Sequence, residues 1–304
     1  MKRFLYILSF VLIYSSCVKE HDIFYPYKKD SISYLELLQG EKNYIVFENS
    51  DGLNYQEKNG LIISIDKNSF ETSVDSIILQ WQIIDSGRKV LAHRYSMVEK
   101  LNYLISPIAI VDYKIKDKKG NDISIKSNNY INFNIPDSSG VNAGIHRYEL
   151  NKWILSKSGE EVLSHHNWTI NINNEPESVS GYLLKTKKSG VICISKYLER
   201  NWQSGDVFIN LKKGFDVGNS IVQVMIPGTK FNMELSWDND NKAFKIPSNF
   251  LFPHNKLNII VLSEDENKNP YFGMKYAEIS DENNIYIDVF KSKTEEIRNL
   301  LDKI

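Results

Sequence analysis

Short apolar runs separated by polar turns recur along the chain from about residue 44, and their spacing is that of strands. Tyr44-Ile45-Val46-Phe47, Leu61-Ile62-Ile63-Ser64-Ile65 and Ser76 to Ile83 are rich in β-branched and aromatic residues, with Gly60 and Asp85-Ser86-Gly87 as punctuation. Ile108 to Ile115 and Ile123-Ser124-Ile125 flank the polar stretch Asp117 to Asp122, whose Gly120 suits a hairpin loop. Tyr130 to Ile135 alternates before Pro136, which puts one strand face on a core and the other in water. Short strands with turns at this spacing predict an all-β fold of the sandwich type.

The same pattern divides the rest of the chain. Residues 45–136 form the first expected sandwich, and residues 137–180 read as a connector with its own hairpin, opened by Asp137-Ser138-Ser139-Gly140. Its two arms, Arg147 to Leu155 and His166 to Ile172, each carry a tryptophan, Trp153 and Trp168, expected to pack on a core. A second β-domain is predicted over 181–304, from Tyr182-Leu183-Leu184 and Gly190 to Tyr197 through Phe231 to Trp237 and on to Asn284–Phe290. It ends in a helix: Ser292-Lys293-Thr294-Glu295 fits a capping box, and Ile297, Leu300, Leu301 and Ile304 fall on one helical face.

The amino terminus follows another pattern. Lys2 and Arg3 precede an apolar run from Phe4 to Tyr14, then Ser15, Ser16 and Cys17. The run is far shorter than the roughly 20 residues a spanning helix needs, and the plan is that of a secretory signal. With the cysteine at the cleavage point, it resembles a bacterial lipoprotein signal, although Tyr14 holds the place where Leu is usual. The resemblance implies removal of residues 1–16 and a lipidated Cys17 carrying palmitate-class acyl chains. Val18-Lys19-Glu20-His21-Asp22 is loosely similar to the charged export tags of Bacteroidetes-type outer-membrane lipoproteins. Residues 17–44 are then the lipidated cysteine and a tether, in which Ser33 to Leu38 is the one stretch expected to be ordered.

The first domain carries a further likeness. Gly60-Leu-Ile-Ile-Ser-Ile-Asp66, Lys67-Asn68-Ser69-Phe70, Ser106-Pro107-Ile108-Ala109-Ile110, the Asp117…Gly120-Asn121 turn and Asn134-Ile135-Pro136 resemble the β-sandwich domain shared by ankyrins, netrin receptors and zonula occludens proteins, over Gly52 to Pro136. The family usually has Pro where Asp66 stands and Gly-Gly where Ser106-Pro107 stands. Some relatives cleave themselves at His-Phe-Ser, a sequence this chain lacks. The resemblance therefore implies a fold and no activity. Gly190 to Tyr197 also loosely resembles an element of Bacteroidetes-type lipoproteins.

Composition changes this picture little. At 42% hydrophobic and 25% charged, the 304 residues are those of a globular protein. Removing Lys2 and Arg3 from the 37 basic residues leaves 35 against 38 acidic, a net of −3, which does not steer the chain to nucleic acid. If Cys17 is acylated, Cys193 is left without a partner and the fold relies on its core alone.

Candidate chemistry is sparse. His165 and His166 are adjacent and so point to opposite strand faces, with His146 expected across the connector hairpin. No third ligand presents itself, so no metal and no cofactor is predicted. Asp238-Asn239-Asp240-Asn241 starts like a calcium loop but has Ala243 and Asn249 where Gly and Glu belong, and it reads as a hairpin turn. Cys193, inside an apolar strand, reads as a small buried hydrophobe. Neither a Gly-x-Ser-x-Gly elbow nor a phosphate loop occurs, and Asn167-Trp168-Thr169 is a sequon that matters only in a eukaryotic secretory pathway. With 17 tyrosines and five tryptophans, sugar stacking is the ligand chemistry to weigh, with Trp202 in a loop and Trp237 at a strand end as the rings for it. The expectation is a non-catalytic, lipid-anchored protein of the outer membrane, facing periplasm or surface, with a structural or protein-interaction role. The alternative is surface polysaccharide binding. Its expected partners are the membrane through Cys17, an envelope protein and, in the alternative, a glycan.

Overall fold

The computed structural model describes residues 32–304 apart from 72–73, 100–102, 158, 173–174, 204, 247–250 and 280–283. Cys17 and the expected signal and tether up to residue 31 lie outside the described residues. The fold is all-β, with three short helices among the described residues.

The first module holds, in chain order, helix α1 (Leu35–Gln39), β1 (Asn43–Glu48), β2 (Leu53–Gln56), β3 (Ile62–Ile65), β4 (Ser76–Ile84), helix α2 (Gly87–Ala92), β5 (Ile105–Asp117), β6 (Ile131–Pro136), β7 (Gly144–Glu149), β8 (Lys152–Leu155), β9 (Glu161–Ile172), β10 (Glu175–Thr186) and β11 (Gly190–Tyr197). Two sheets result, in the orders β1-β4-β5-β11-β7-β8 and β2-β3-β6-β10-β9. Ile63, Phe133, Leu184, Trp81, Val111 and Ile192 fill the space between them. This corrects the expected division of the chain. Residues 137–180 are not a connector: β7 and β8 extend one sheet, while β9 and β10 complete the other, with β10 paired to β6 from Gly181↔Pro136 to Thr186↔Ile131. The sandwich closes only at Tyr197, because β5 has no second neighbour until β11 arrives.

The second module contains β12 (Trp202–Gln203), β13 (Val207–Leu211), β14 (Ser220–Met225), β15 (Asn232–Glu234), β16 (Ser236–Asp238), β17 (Ala243–Ile246), β18 (Leu251–Phe252), β19 (Lys256–Glu264), β20 (Pro270–Glu278), β21 (Asn284–Ile287), β22 (Phe290–Lys291) and helix α3 (Thr294–Leu301). A four-stranded sheet, β16-β17-β13-β21, faces a five-stranded one, β15-β14-β19-β20-β22, beside the ribbon β12-β18. The expected single strand Phe231 to Trp237 breaks at Leu235, so β15 serves one sheet and β16 the other.

The modules share one core. Alternation sends Ile84, Ile110 and Cys193 out of the first sandwich, and they pack with Val222, Val224, Ile259 and Phe231 of the second module. Central strands β4, β5 and β11 are thus buried on both faces, which explains their nearly continuous apolar runs. Outside the five-stranded sheet, Leu38 of α1, Leu91 and Ala92 of α2, and Ile297 and Leu301 of α3 cover Ile221, Ile260, Leu262 and Phe272. Helix α2 was hidden from sequence reading because it is short; Ser86 caps it by accepting from the Lys89 backbone N–H at 3.4 Å. The start of α3 is also corrected. Lys293, not Ser292, is the N-cap, so the expected Ser292–Glu295 box does not form, and Glu296 instead accepts from the Lys293 N–H at 3.1 Å. Lysine has no acceptor to return the bond.

Candidate functional site

A concave surface lies where the modules meet. A cleft of about 500 Å³ is walled by the end of β4, by Pro107 and Ile108 of β5, by the segment after β6, by Lys196 and by the Gly228–Lys230 turn. A β-bulge shapes it. Pairing of β5 with β11 jumps from Ile194↔Ala109 to Ser195↔Pro107, leaving Ile108 as the extra residue. Pro107, which has no N–H for a ladder, is tolerated at this irregularity. The Ile108 carbonyl accepts from the Lys230 ammonium of the second module at 2.7 Å.

Charges of both signs meet in the cleft. Burial lowers the pKa of Lys230, while Asp85 and Asp137 pull it back upward. Asp85 also pairs with Lys89 at 2.8 Å, and Asp137 accepts from the Ser139 N–H and hydroxyl. Lys196 is exposed at the rim. Two carboxylates, two amines and the Ser106 hydroxyl above Pro107 and Ile108 make a surface of mixed donors and acceptors. That suits a neutral, hydroxylated ligand or a polar loop of another protein.

The two rings expected to stack on sugars are placed otherwise. Trp202 is not in a loop: it pairs with Phe252 in a two-strand ribbon and is half-buried on the shared core. Trp237 is likewise half-buried, edge-on to Phe244 at 5.1 Å. Neither ring belongs to the cleft. Trp153 is fully buried, and Trp168 donates its indole N–H to the Gly60 carbonyl at 3.0 Å. Asp238 accepts from the Asn241 N–H at 2.9 Å as the turn of the β16–β17 hairpin.

The histidines do not converge. His146 lies in the six-stranded sheet, and His165 and His166 lie in the other. His146 instead meets Ser195 at 2.8 Å through Nδ1 and the Tyr197 hydroxyl at 3.3 Å through Nε2. This Ser–His contact has the outline of a nucleophile and base. His146 is 0% and Ser195 1% exposed, so neither substrate nor water reaches it. Cys193 pairs beside His146, and burial pushes its thiol well above the usual range, so it is inert as expected from the sequence.

Burial also lowers the His146 pKa to about 4 from 6.5, the value expected once the chain is unfolded. The folded state thus holds a neutral imidazole. Its contribution to stability is full above about pH 6.5 and is lost as pH falls towards 4, because only the unfolded chain takes up the proton across that window. Urea midpoints should fall between pH 6.5 and 4.5, and His146→Gln should flatten that decline; a variant as pH-sensitive as wild type would refute the assignment.

A second buried polar cluster closes the far end of the first sandwich. Arg147 and Glu161 pair at 2.5 Å, Ser156 donates to the second Glu161 oxygen, and Arg147 also donates to Thr186 and to the Lys188 and Ser189 carbonyls. No local motif announced this cluster or the cleft, since their residues come together only through the strand order. Among the described residues, no group of three or more His, Cys, Asp or Glu side chains is arranged to hold a metal ion. Compared with known proteins, the chain matches no family model, no curated protein and no solved structure at a significant level.

Proposed function

We propose that this chain is a lipid-anchored protein of the cell envelope, held at the outer membrane through Cys17, that works by binding a partner rather than by catalysis. The observation that carries the reading is the shared core. Ile84, Ile110 and Cys193 of the first sandwich are buried with Val222 and Ile259 of the second module, so the walls of the junction cleft are held at a set separation. A pre-formed surface of mixed donors and acceptors binds with little ordering cost of its own. Residues 52–136 belong, on this reading, to the ankyrin, netrin-receptor and zonula occludens type of sandwich, with β7 to β11 as its completion.

The mixed donors and acceptors of the cleft also favour the second reading, surface polysaccharide binding, moved from Trp202 to Lys196 and Lys230. Both readings are tested together. Cys17→Ala should shift the protein from the membrane to the soluble fraction, and mass spectrometry of the native N-terminus should find an acylated cysteine. A membrane-bound Cys17→Ala protein, or an unmodified start, would remove the anchor. In a glycan-retardation gel, loss of retardation in Lys196→Ala but not Trp202→Ala supports sugar capture in the cleft. Equal mobility with and without glycans leaves the protein-binding reading alone.

A further inference from the structure

We propose that the end of the second module where the chain enters the fold rests on a lipid surface, with Phe290 and Val217 in the headgroup layer. The proposal depends on the anchor at Cys17 put forward above. The register of the five-stranded sheet defines that end: Ser220 pairs with Ser263, Ser263 with Tyr271, and Tyr271 with Lys291, in one row across four strands. The entering chain is tied to this row. The Ser33 N–H and hydroxyl both donate to Glu264, at 2.6 and 2.7 Å, and the Tyr34 hydroxyl donates to the Tyr271 carbonyl at 3.1 Å.

Of the exposed apolar side chains near the entry point, which include Leu37 of α1 at 59%, two flank this row. Val217, 55% exposed, is in the turn just before Ser220 and shares a small cavity with Ile32. Phe290, 67% exposed, precedes Lys291 in edge strand β22 and pairs with Phe272, which the helices cover. Isolated apolar side chains on a surface need no explanation. These two flank the one place where the tether joins the fold, and this singles them out. Ile32 is 15 residues from Cys17, so even a fully extended chain holds this end within about 50 Å of the acylated residue. Exposed Lys212, Lys213, Lys268, Lys291 and Lys293 at the same end are interspersed with exposed Asp216, Glu266, Glu295 and Glu296, so the two signs nearly offset. The contact is therefore apolar insertion rather than attraction to anionic lipid.

The test uses the full-length acylated protein in phosphatidylcholine vesicles, with a fluorophore at Phe290→Cys or, as a control on the first sandwich, at Tyr44→Cys. Tyr44 is 75% exposed, and Cys193 is fully buried and stays unlabelled. Brominated phosphatidylcholine should quench the fluorophore at 290 about fivefold more than at 44, and aqueous iodide should do the reverse. Equal quenching at both positions in protein that floats with the vesicles overturns the proposal and leaves the anchor standing. Shielding of 290 from iodide without lipid quenching also overturns it, since a second protein then covers Phe290. Protein that does not float with the vesicles has no anchor, and the proposal falls with it.

Discussion

Alanine in place of Glu161 is expected to lower the stability of the protein by about 3–5 kcal/mol. The Glu161 side chain is 0% exposed and Arg147 is 9% exposed, so removing the carboxylate strands a guanidinium inside the sandwich. The remaining Arg147 partners are neutral: the Thr186 hydroxyl and the Lys188 and Ser189 carbonyls. They accept hydrogen bonds from its N–H groups without offsetting its charge. Arg147→Met should cost a similar amount by stranding the carboxylate. The double variant Arg147→Met/Glu161→Leu should be less damaged than the two losses combined, because an apolar pair of similar volume removes both charges at once. Urea denaturation of the four proteins decides it. Single variants within about 1 kcal/mol of wild type would place this pair with the exposed ion pairs of the surface.

Gly181→Ala should be about as damaging, for a steric reason. A Cβ on Gly181 would stand 2.1 Å from the Ile135 carbonyl oxygen, and 2.8 Å from both the Asp137 nitrogen and the Trp168 ring. Two of these atoms are backbone, and β10 is clamped between β6 and β9 at this position by Gly181↔Pro136 and Gly181↔His166. Nothing can yield without breaking a ladder, so the cost should reach about 3 kcal/mol or more. Gly87→Ala is the matched control. There the new Cβ meets only the end of the Met225 side chain, at 2.9 Å, and that flexible thioether can move aside. Thermal unfolding should show Gly181→Ala far below wild type and Gly87→Ala close to it; equal losses would contradict the argument.

Which parts of this were legible beforehand follows from the range of the interactions involved. Strands β1, β3, β4, β5 and β6, the hairpin at Asp238 and the amphipathic face of α3 rest on local periodicity and turn chemistry, and sequence reading finds them, whereas β2 leaves too short a trace and the expected arm Ile123-Ser124-Ile125 forms no strand. Residues 137–180 have the sequence of a connector because their hairpins are locally self-sufficient. Only the long-range pairings β10–β6 and β7–β11 reveal that they complete the sheets, and no local signal encodes a strand order. Trp202 was read as a loop residue because a two-residue ribbon with Phe252 leaves no periodic trace.

The sequence by itself determined that the chain is all-β and that Cys193 is a buried apolar residue. Each of these depends on residue type and on neighbours one or two positions away. Only the tertiary structure decided that two modules share a core, that Ile108 bulges out to meet Lys230, and that Arg147 and Glu161 are sealed together. Those features join residues far apart in the chain, and burial and a lowered dielectric act on them only after the sheets have closed.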